Sequence, residues 1–377
     1  MAVEPREVTD RARSEWRPKA TLPGDAYHRP EVWEREKELI FQAAWYCVGR
    51  EEEIAEPGDF MVRDVAGEGV LLARAKDEKL RAFYNVCRHR GTRLCDGEGH
   101  AKSNVFVCPY HAWTYDTAGN LLGTPNVHED EGFDRSSNSL WQMAVEVQDG
   151  FIYVNMSSDP ETLSDFLSRN PEGDPAEHTR WGLDELRLGH RIDYEVAANW
   201  KIILENYNEC LHCPSIHPEL VSLVPLFKKG LVEGERGAEL VHGAQTLSMD
   251  GTTNRPPFPS LEPEDCRVYF GMTVFPTFMI NYQPDYVMTY RLEPRDPLNT
   301  LVVSEFLFRP EVVESADFDP SGVVDFWDLV SRQDWSVCER AQKGVRSRAF
   351  SKGGVFPFND RWVHEFNRRY RESMDEG

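Results

Sequence analysis

The 377-residue sequence predicts an α+β fold in two parts: a small all-β domain, then an antiparallel sheet cradling a long C-terminal helix. Three observations predict it. From Trp45 to about Met156 the chain is a series of short strand-like runs, among them WYCVGR, DFMVRDV, GVLLARA, LRAFYNV, NVFVCPY and FIYVNM. Residues 267–309 add three more, RVYFGMTVFPTFMINY, YVMTYRL and TLVVSEFLF. A long helical periodicity then covers about 323–348.

Each element has a local reason. In the β region, Ala118-Gly119-Asn120 and Asp149-Gly150 are turn sequences between alternating runs. Residues 1–28 read as irregular. A helix is expected from Pro30 to about Trp45, because Val32/Trp33, Leu39/Ile40 and Ala43/Ala44 recur at helical spacing, although Glu36 interrupts the stripe. Residues 158–190, rich in Pro, Asp and Glu, read as the connection into the second domain. There Asn199–Leu211 reads as a helix that ends before Pro214. The expected division is an N-terminal segment 1–44, a β domain 45–157 and a second domain 158–377.

Composition narrows the function. Hydrophobic residues at 40% and charged residues at 28% are ordinary for a globular chain. The net charge of −22 argues against nucleic acid, which needs a basic surface, and suits docking to a basic partner protein or a salt-adapted host. No apolar run is long enough to cross a membrane. The charged N-terminus has no apolar secretory core, so a cytoplasmic location is expected. In such a chain, cysteines clustered with histidines are metal ligands before they are disulfides, and the others are read as buried thiols.

One such cluster is Cys87-Arg88-His89 followed, after eighteen intervening residues, by Cys108-Pro109-Tyr110-His111. Each loop between strands offers one sulfur and one nitrogen. A usual zinc site takes both cysteines from one element and both histidines from another. The alternating order suits two irons, thiolates on one and imidazoles on the other, which is the Rieske [2Fe–2S] arrangement. Zinc, or four unrelated turn residues, stay open at this point.

The second cluster lies in NWKIILENYNECLHCPSIHPEL. On a helix, Glu205, Glu209 and His212 share one face at i, i+4 and i+7. Pro214 breaks that helix and Pro218 biases His217 towards extended backbone, so the chain can turn back and offer a second imidazole. Two histidines are one carboxylate short of a 2-His-1-carboxylate iron site. Asp334 is the best donor, because it stands on the apolar stripe Phe326, Val330, Val337, Ala341. A carboxylate paired with an arginine such as Arg340, or at the rim of the core, is the alternative.

NVCRHRGTRLC followed by CPYHAWTYDTAGNL resembles the Rieske domain of ring-hydroxylating and related oxygenases. The gap between His89 and Cys108 is slightly longer than is usual there, with DGEGHAKS (96–103) as the insertion. Cys95 and His100 in that gap are read as non-ligands. NWK…EN…E…H…H, continued by Gln333-Asp334, resembles the family's mononuclear-iron motif. The resemblance implies a helix-grip catalytic domain, a [2Fe–2S] cluster on Cys87, His89, Cys108 and His111, and Fe(II) on His212, His217 and Asp334. It implies a homotrimer in which Glu209 bridges to His111 of a neighbouring subunit, and it places Asn206 with Glu209 among the catalytic residues. Most ring-hydroxylating members have Asp where Glu209 stands. ENYNECLHCP…HP is closer to the glycine betaine and carnitine monooxygenase branch, which acts on trimethylammonium compounds.

The resulting expectation is the terminal component of an oxygenase that uses O2 to hydroxylate a C–H bond of a small molecule. With no GxGxxG after a strand, electrons from NAD(P)H would come through a separate flavin-containing reductase. Phe275, Phe278, Tyr282, Tyr286, Tyr290, Phe306 and Phe308 are candidates to cage a quaternary ammonium, with ordinary core packing as the competing reading. Phe306 and Phe308 alternate with Leu307, so one strand face would line a cavity. N-demethylation of a betaine-like amine stands first, hydroxylation or O-demethylation of an aromatic acid second. A Rieske electron carrier or iron sensor without oxygenase activity is a third reading, against which the second cluster speaks.

Overall fold

Asp149 and Gly150 both have positive φ, 53° and 76°, and make the tight two-residue turn of a hairpin. They join Gln142–Gln148 to Phe151–Asn155, with Gln148 paired to Phe151. Ala66 and Gly67, at 52° and 91°, do the same between Asp59–Val65 and Glu68–Arg74. The computed structural model describes residues 13–127, 132–170, 179–232 and 237–375. They fall into two units, Phe41–Phe166 and the described residues up to Ile40 and from Leu167 onward.

Among the described residues of the first unit ten strands follow in chain order: β1 Tyr46–Arg50, β2 Asp59–Val65, β3 Glu68–Arg74, β4 Leu80–Tyr84, β5 Glu98–His100, β6 Val105–Val107, β7 Thr114–Asp116, β8 Leu121–Gly123, β9 Gln142–Gln148 and β10 Phe151–Asn155. Seven form one antiparallel sheet in the order β1-β10-β9-β4-β3-β2-β5, and β6-β7-β8 form a second. The predicted insertion 96–103 becomes the edge strand β5, which pairs with β2. His100 there bonds Asp59 at 2.9 Å. A core of Leu71, Phe83, Phe106, Trp113, Tyr115 and Leu121 joins the sheets.

The second unit is an α+β layer. Its sheet runs β11 (Arg187–Val196), β16 (Asn299–Phe308), β15 (Val287–Asp296), β14 (Phe278–Tyr282), β13 (Val268–Val274), β12 (Ala238–Glu239), antiparallel throughout. Across it lies the 25-residue helix Ser321–Val345, whose buried Val323, Phe326, Trp327, Val330 and Cys338 recur at helical spacing. Its polar anchors are Tyr194 to Asp328 (2.8 Å) and Tyr290 to Ser331 (2.5 Å).

Four expectations need correction. The run RVYFGMTVFPTFMINY is two strands, because Pro276 cannot donate to a ladder and Phe275-Pro276-Thr277 forms the turn. β11 arises partly from the stretch read as connection; residues 171–178 of that stretch, like residues 1–12, lie outside the described residues. The N-terminal helix α1 covers only Pro30–Glu36, followed by a π-turn Lys37–Phe41. The helix expected over 199–211 is α2, Trp200–Tyr207, capped by the Asn199 side chain on the Lys201 N–H at 3.0 Å. At its C-terminus the Asn208 amide donates back to the Leu204 carbonyl at 2.9 Å. Among the described residues no helix is long and apolar enough to cross a membrane.

Candidate metal centres

The two loops of the first cluster have the same backbone. The Gly91 N–H returns to the Cys87 carbonyl and the Ala112 N–H to the Cys108 carbonyl, each at 3.0 Å. The Cys87 and Cys108 N–H groups reach Thr92 and Trp113, each at 2.8 Å. Gly91 and Ala112, four residues after each cysteine, both take left-handed φ, 70° and 56°. Two identical turns thus present Cys-x-His and Cys-x-x-His alike. Both sulfurs are buried, while His89 is exposed and His111 half-buried. The imidazole rings lie 4.6 Å apart, and His89 stacks on Trp113 at 4.7 Å and 8°. The Tyr115 hydroxyl sits 3.4 Å from the Cys87 sulfur and accepts the Arg88 N–H at 3.1 Å. Two sulfurs inside and two nitrogens at the edge are the donor set a mixed-ligand [2Fe–2S] cluster takes.

The second cluster forms after α2 has ended, so a shared helical face does not build it. Glu205, on the helix, points elsewhere: it accepts from Tyr27 (2.8 Å) and Asn367 (2.7 Å). The chain leaves the helix at Asn208, and His212 then caps the short helix α3, Cys213–Ile216, with Pro214 in its first turn. His217 follows, ahead of Pro218 and helix α4, Pro218–Leu223.

Three atoms converge there. The Nε2 atoms of His212 and His217 are 3.2 Å apart, and one Asp334 oxygen lies 3.2 Å from the first and 2.9 Å from the second. Adjacent ligands of a six-coordinate ion at about 2.1 Å stand about 3.0 Å apart, so the triangle fits one face of such an ion. The outer nitrogens are spoken for. His212 Nδ1 donates to Glu209 at 2.5 Å and His217 Nδ1 to Gln333 at 2.7 Å, leaving both lone pairs turned inward. Burial opposes charge on His212, yet Asp334 and Glu209 push it up to about 10; burial raises Asp334, yet the two histidines hold it below the usual range. Arg340 is not its partner. His212, Cys213 and His217 also offer donor atoms within 4.8 Å. Cys213, however, is joined to Cys210 in a disulfide, contrary to its reading as a buried thiol, so the carboxylate is the available third donor.

The segment is tied down by buried charge. Lys201, 0% exposed, bonds Glu36 (1% exposed) at 2.5 Å, and Glu36 also accepts from Tyr370 at 2.7 Å and from the Trp200 indole at 3.1 Å. Glu36, which breaks the apolar stripe of the sequence, is therefore the buried counter-ion of α2.

A cavity of about 330 Å³ opens onto the triangle. Tyr207, Tyr269, Tyr290 and Trp327 form much of its wall. Tyr207 and Tyr290 meet edge to face at 6.5 Å, and Tyr269 is tilted against Trp327 at 6.2 Å. Of the aromatics singled out from the sequence, Tyr282 and Tyr290 line it, and Phe275, Phe278, Phe306 and Phe308 do not. Phe278 is paired with Arg291, on the sheet face opposite Tyr290. Phe306 and Phe308 belong to β16, one strand further away, where Phe308 packs on Phe318. Phe275 packs on Phe366 and under Arg369. Tyr286 bonds the Trp327 indole at 2.7 Å. Asn206 borders the cavity, its amide 3.5 Å from His212 Nε2. Tyr207, Tyr269 and Trp327 were not singled out in the sequence; Trp327 stands seven residues before Asp334, hence on the same helix face, and that spacing was legible.

Residues 44–142 match the Rieske [2Fe–2S] domain family, and residues 183–376 match the catalytic domain of the ring-hydroxylating α subunits. The chain belongs to the Rieske-type ring-hydroxylating oxygenase α-subunit family. It is 34% identical to the carnitine monooxygenase oxygenase subunit of Acinetobacter baumannii over 89% of this chain and 87% of that one. It is 27% identical to the glycine betaine monooxygenase oxygenase subunit of Chromohalobacter salexigens, over 94% and 86%. The crystal structure of a quaternary ammonium Rieske monooxygenase in complex with its substrate L-carnitine superposes with a TM-score of 0.76 at 29% identity, covering 99% of this chain and 100% of that one.

Proposed function

We propose that this chain is the oxygenase component of a cytoplasmic two-component system that hydroxylates a C–H bond beside the nitrogen of a trimethylammonium compound. N-demethylation of a betaine-like substrate is the reaction. The observation that carries this is the placement of four aromatic side chains around a cavity that ends on the His212, His217, Asp334 triangle. Ring faces attract a quaternary ammonium, which has no N–H to bond and offers only charge and methyl surface. The relatives named for carnitine and glycine betaine point the same way.

In this reading Cys87, His89, Cys108 and His111 hold a [2Fe–2S] cluster, and His212, His217 and Asp334 hold Fe(II). When bound, these groups activate O2 with electrons delivered singly from NAD(P)H through a separate flavin-containing reductase. One oxygen atom enters the C–H bond; the other takes two electrons and two protons and leaves as water. The N–CH2OH product breaks at its C–N bond into formaldehyde, a proton and a tertiary amine. The residues do the positioning. Tyr207, Tyr269, Tyr290 and Trp327 hold the ammonium with a methyl group towards the triangle. Glu209 and Gln333 fix the two imidazoles, and Asn206 flanks His212 with its amide and would offer a donor beside a bound ion. Glu209 also accepts a hydrogen bond from His111 of a neighbouring subunit in a homotrimer, joining the two centres.

Turnover of a panel of betaines and aromatic acids, reading formaldehyde, tests the proposal. Formaldehyde from a trimethylammonium substrate is the expected result. Release of trimethylamine would place the attacked C–H bond on the other substituent, and turnover of aromatic acids alone would refute the substrate class.

A further inference from the structure

The polar ends of Tyr207, Tyr269, Tyr290 and Trp327 are each taken up by a hydrogen bond, and two of them share one atom beside Gly271, which borders the cavity. Tyr207 and Tyr269 donate their phenol protons to the same side-chain oxygen of Asn281, at 2.9 and 2.6 Å. Asn281 is fully buried in β14, and its amide nitrogen is spent on the Met288 sulfur at 3.4 Å. It has no place in the cavity lining. Directly across the ladder, its partner in β13 is Gly271. A Cβ at Gly271 would stand 2.7 Å from the Tyr269 hydroxyl and 2.8 Å from that of Tyr207. The two phenols therefore converge only because one strand supplies an acceptor and the next supplies no side chain.

We propose that Asn281, with the space left by Gly271, is the positioning device of the ammonium cage; this rests on the substrate class proposed above. The pair fixes the rotation of both tyrosine rings, so that faces rather than hydroxyls line the cavity. A free phenol would swing inward and offer an oxygen to a ligand that has no N–H. The cost of losing the pair is thus paid in discrimination between a cation and a neutral body of the same shape, more than in overall affinity.

The probes are glycine betaine and 3,3-dimethylbutanoate, in which carbon replaces the charged nitrogen. Dissociation constants are measured for both on the metal-loaded protein, with KM and kcat for the reaction. Asn281→Leu removes the acceptor at similar volume, Asn281→Asp restores it, and Gly271→Ala keeps it but displaces the hydroxyls. Asn281→Leu and Gly271→Ala should each lose about tenfold of the wild-type preference for the cation, the size of a desolvated cation–π contribution. KM should rise more than kcat falls, and Asn281→Asp should recover most of the preference. Tyr207→Phe/Tyr269→Phe removes the hydroxyls while keeping the rings, and adding Asn281→Leu to it should change nothing further. If Asn281→Leu fails to fold, Gly271→Ala and the phenylalanine pair carry the test. Unchanged preference in these variants, equal weakening of both probes, or an additive triple variant overturns the inference while leaving the substrate class intact. A wild-type protein with no preference for the cation overturns both.

Discussion

The side-chain oxygen of Gln333 lies 2.7 Å from Nδ1 of His217 and fixes which nitrogen of that ring carries the proton. Glu219 accepts from the Gln333 amide nitrogen at 3.4 Å, so the amide keeps its oxygen towards the imidazole. His217 Nε2 is thereby the ring nitrogen turned towards Asp334, 2.9 Å away. Gln333→Leu should lower affinity for mononuclear iron by about 10- to 100-fold, the usual cost of losing such an outer partner. Gln333→Glu, which still accepts, should lose far less. Iron titration of cluster-loaded protein reads both, and an unchanged affinity in Gln333→Leu would remove Gln333 from the site.

Removing a donor of the triangle should separate the two centres. His212→Ala, His217→Ala or Asp334→Ala is expected to lose mononuclear iron and turnover while the visible and EPR spectra of the [2Fe–2S] cluster persist. Cys87→Ser or His111→Ala should do the reverse to the spectra. Full iron content and activity in Asp334→Ala would send the search for the carboxylate elsewhere.

In the proposed site Glu209 holds a ligand through His212 Nδ1 and is not a ligand itself, so both irons should still load in Glu209→Gln. The expected lesion is in electron passage. Reoxidation of the reduced cluster with substrate and O2 should slow by orders of magnitude, and Glu209→Asp should be milder, a water spanning the shorter reach. Wild-type reoxidation in Glu209→Ala, or an active monomer, would dispose of the bridge.

Stability should carry a pH signature from Glu205. Burial pushes this carboxyl from 4.5 up to about 7, against the opposing bonds from Asn367 and Tyr27. Between those two values the folded chain keeps a proton that the unfolded chain has released, so stability falls as pH rises through the window and levels off above about 7. Glu205→Gln keeps an acceptor for Tyr27 and Asn367 and has no proton to lose. Its melting temperature should vary less between pH 5 and 7 than that of the wild type; parallel curves would count against the assignment.

Much of this was legible in the sequence because the relevant signals are local. Asp149-Gly150 announces a hairpin through its left-handed preference, and Cys87-x-His89 with Cys108-x-x-His111 announces two matched loops through spacing alone. His212 and His217 were also readable, because the placement of Pro214 and Pro218 turns the chain back as expected, whereas the presumed helical face ends at Tyr207 and Glu205 turns to Tyr27 and Asn367 instead. Other features depend on what lies across the fold. No pattern in β14 shows that Asn281 receives two phenols, one from α2 and one from β13. The aromatic strand positions looked alike in sequence, and only the register put Tyr290 at the cavity and Phe278 on the other face. Glu36 looked like a flaw in an amphipathic stripe because its counter-ion is 165 residues away.

That distant pairing has a consequence for the order of events in synthesis. The helix before the iron-site residues is anchored by Tyr27 and Glu36 from the start of the chain and by Asn367 and Tyr370 from its end. A chain emerging from the ribosome at about 5–20 residues per second presents the second pair long after the first, 334 residues separating Glu36 from Tyr370. Phe41–Phe166, continuous in sequence, is whole long before that. Glu36 and Glu205 gain their remaining partners only once Tyr370 and Asn367, on the helix Arg361–Asp375, have been made. The two units are therefore completed at different times, the continuous one before the one built from both sides of it.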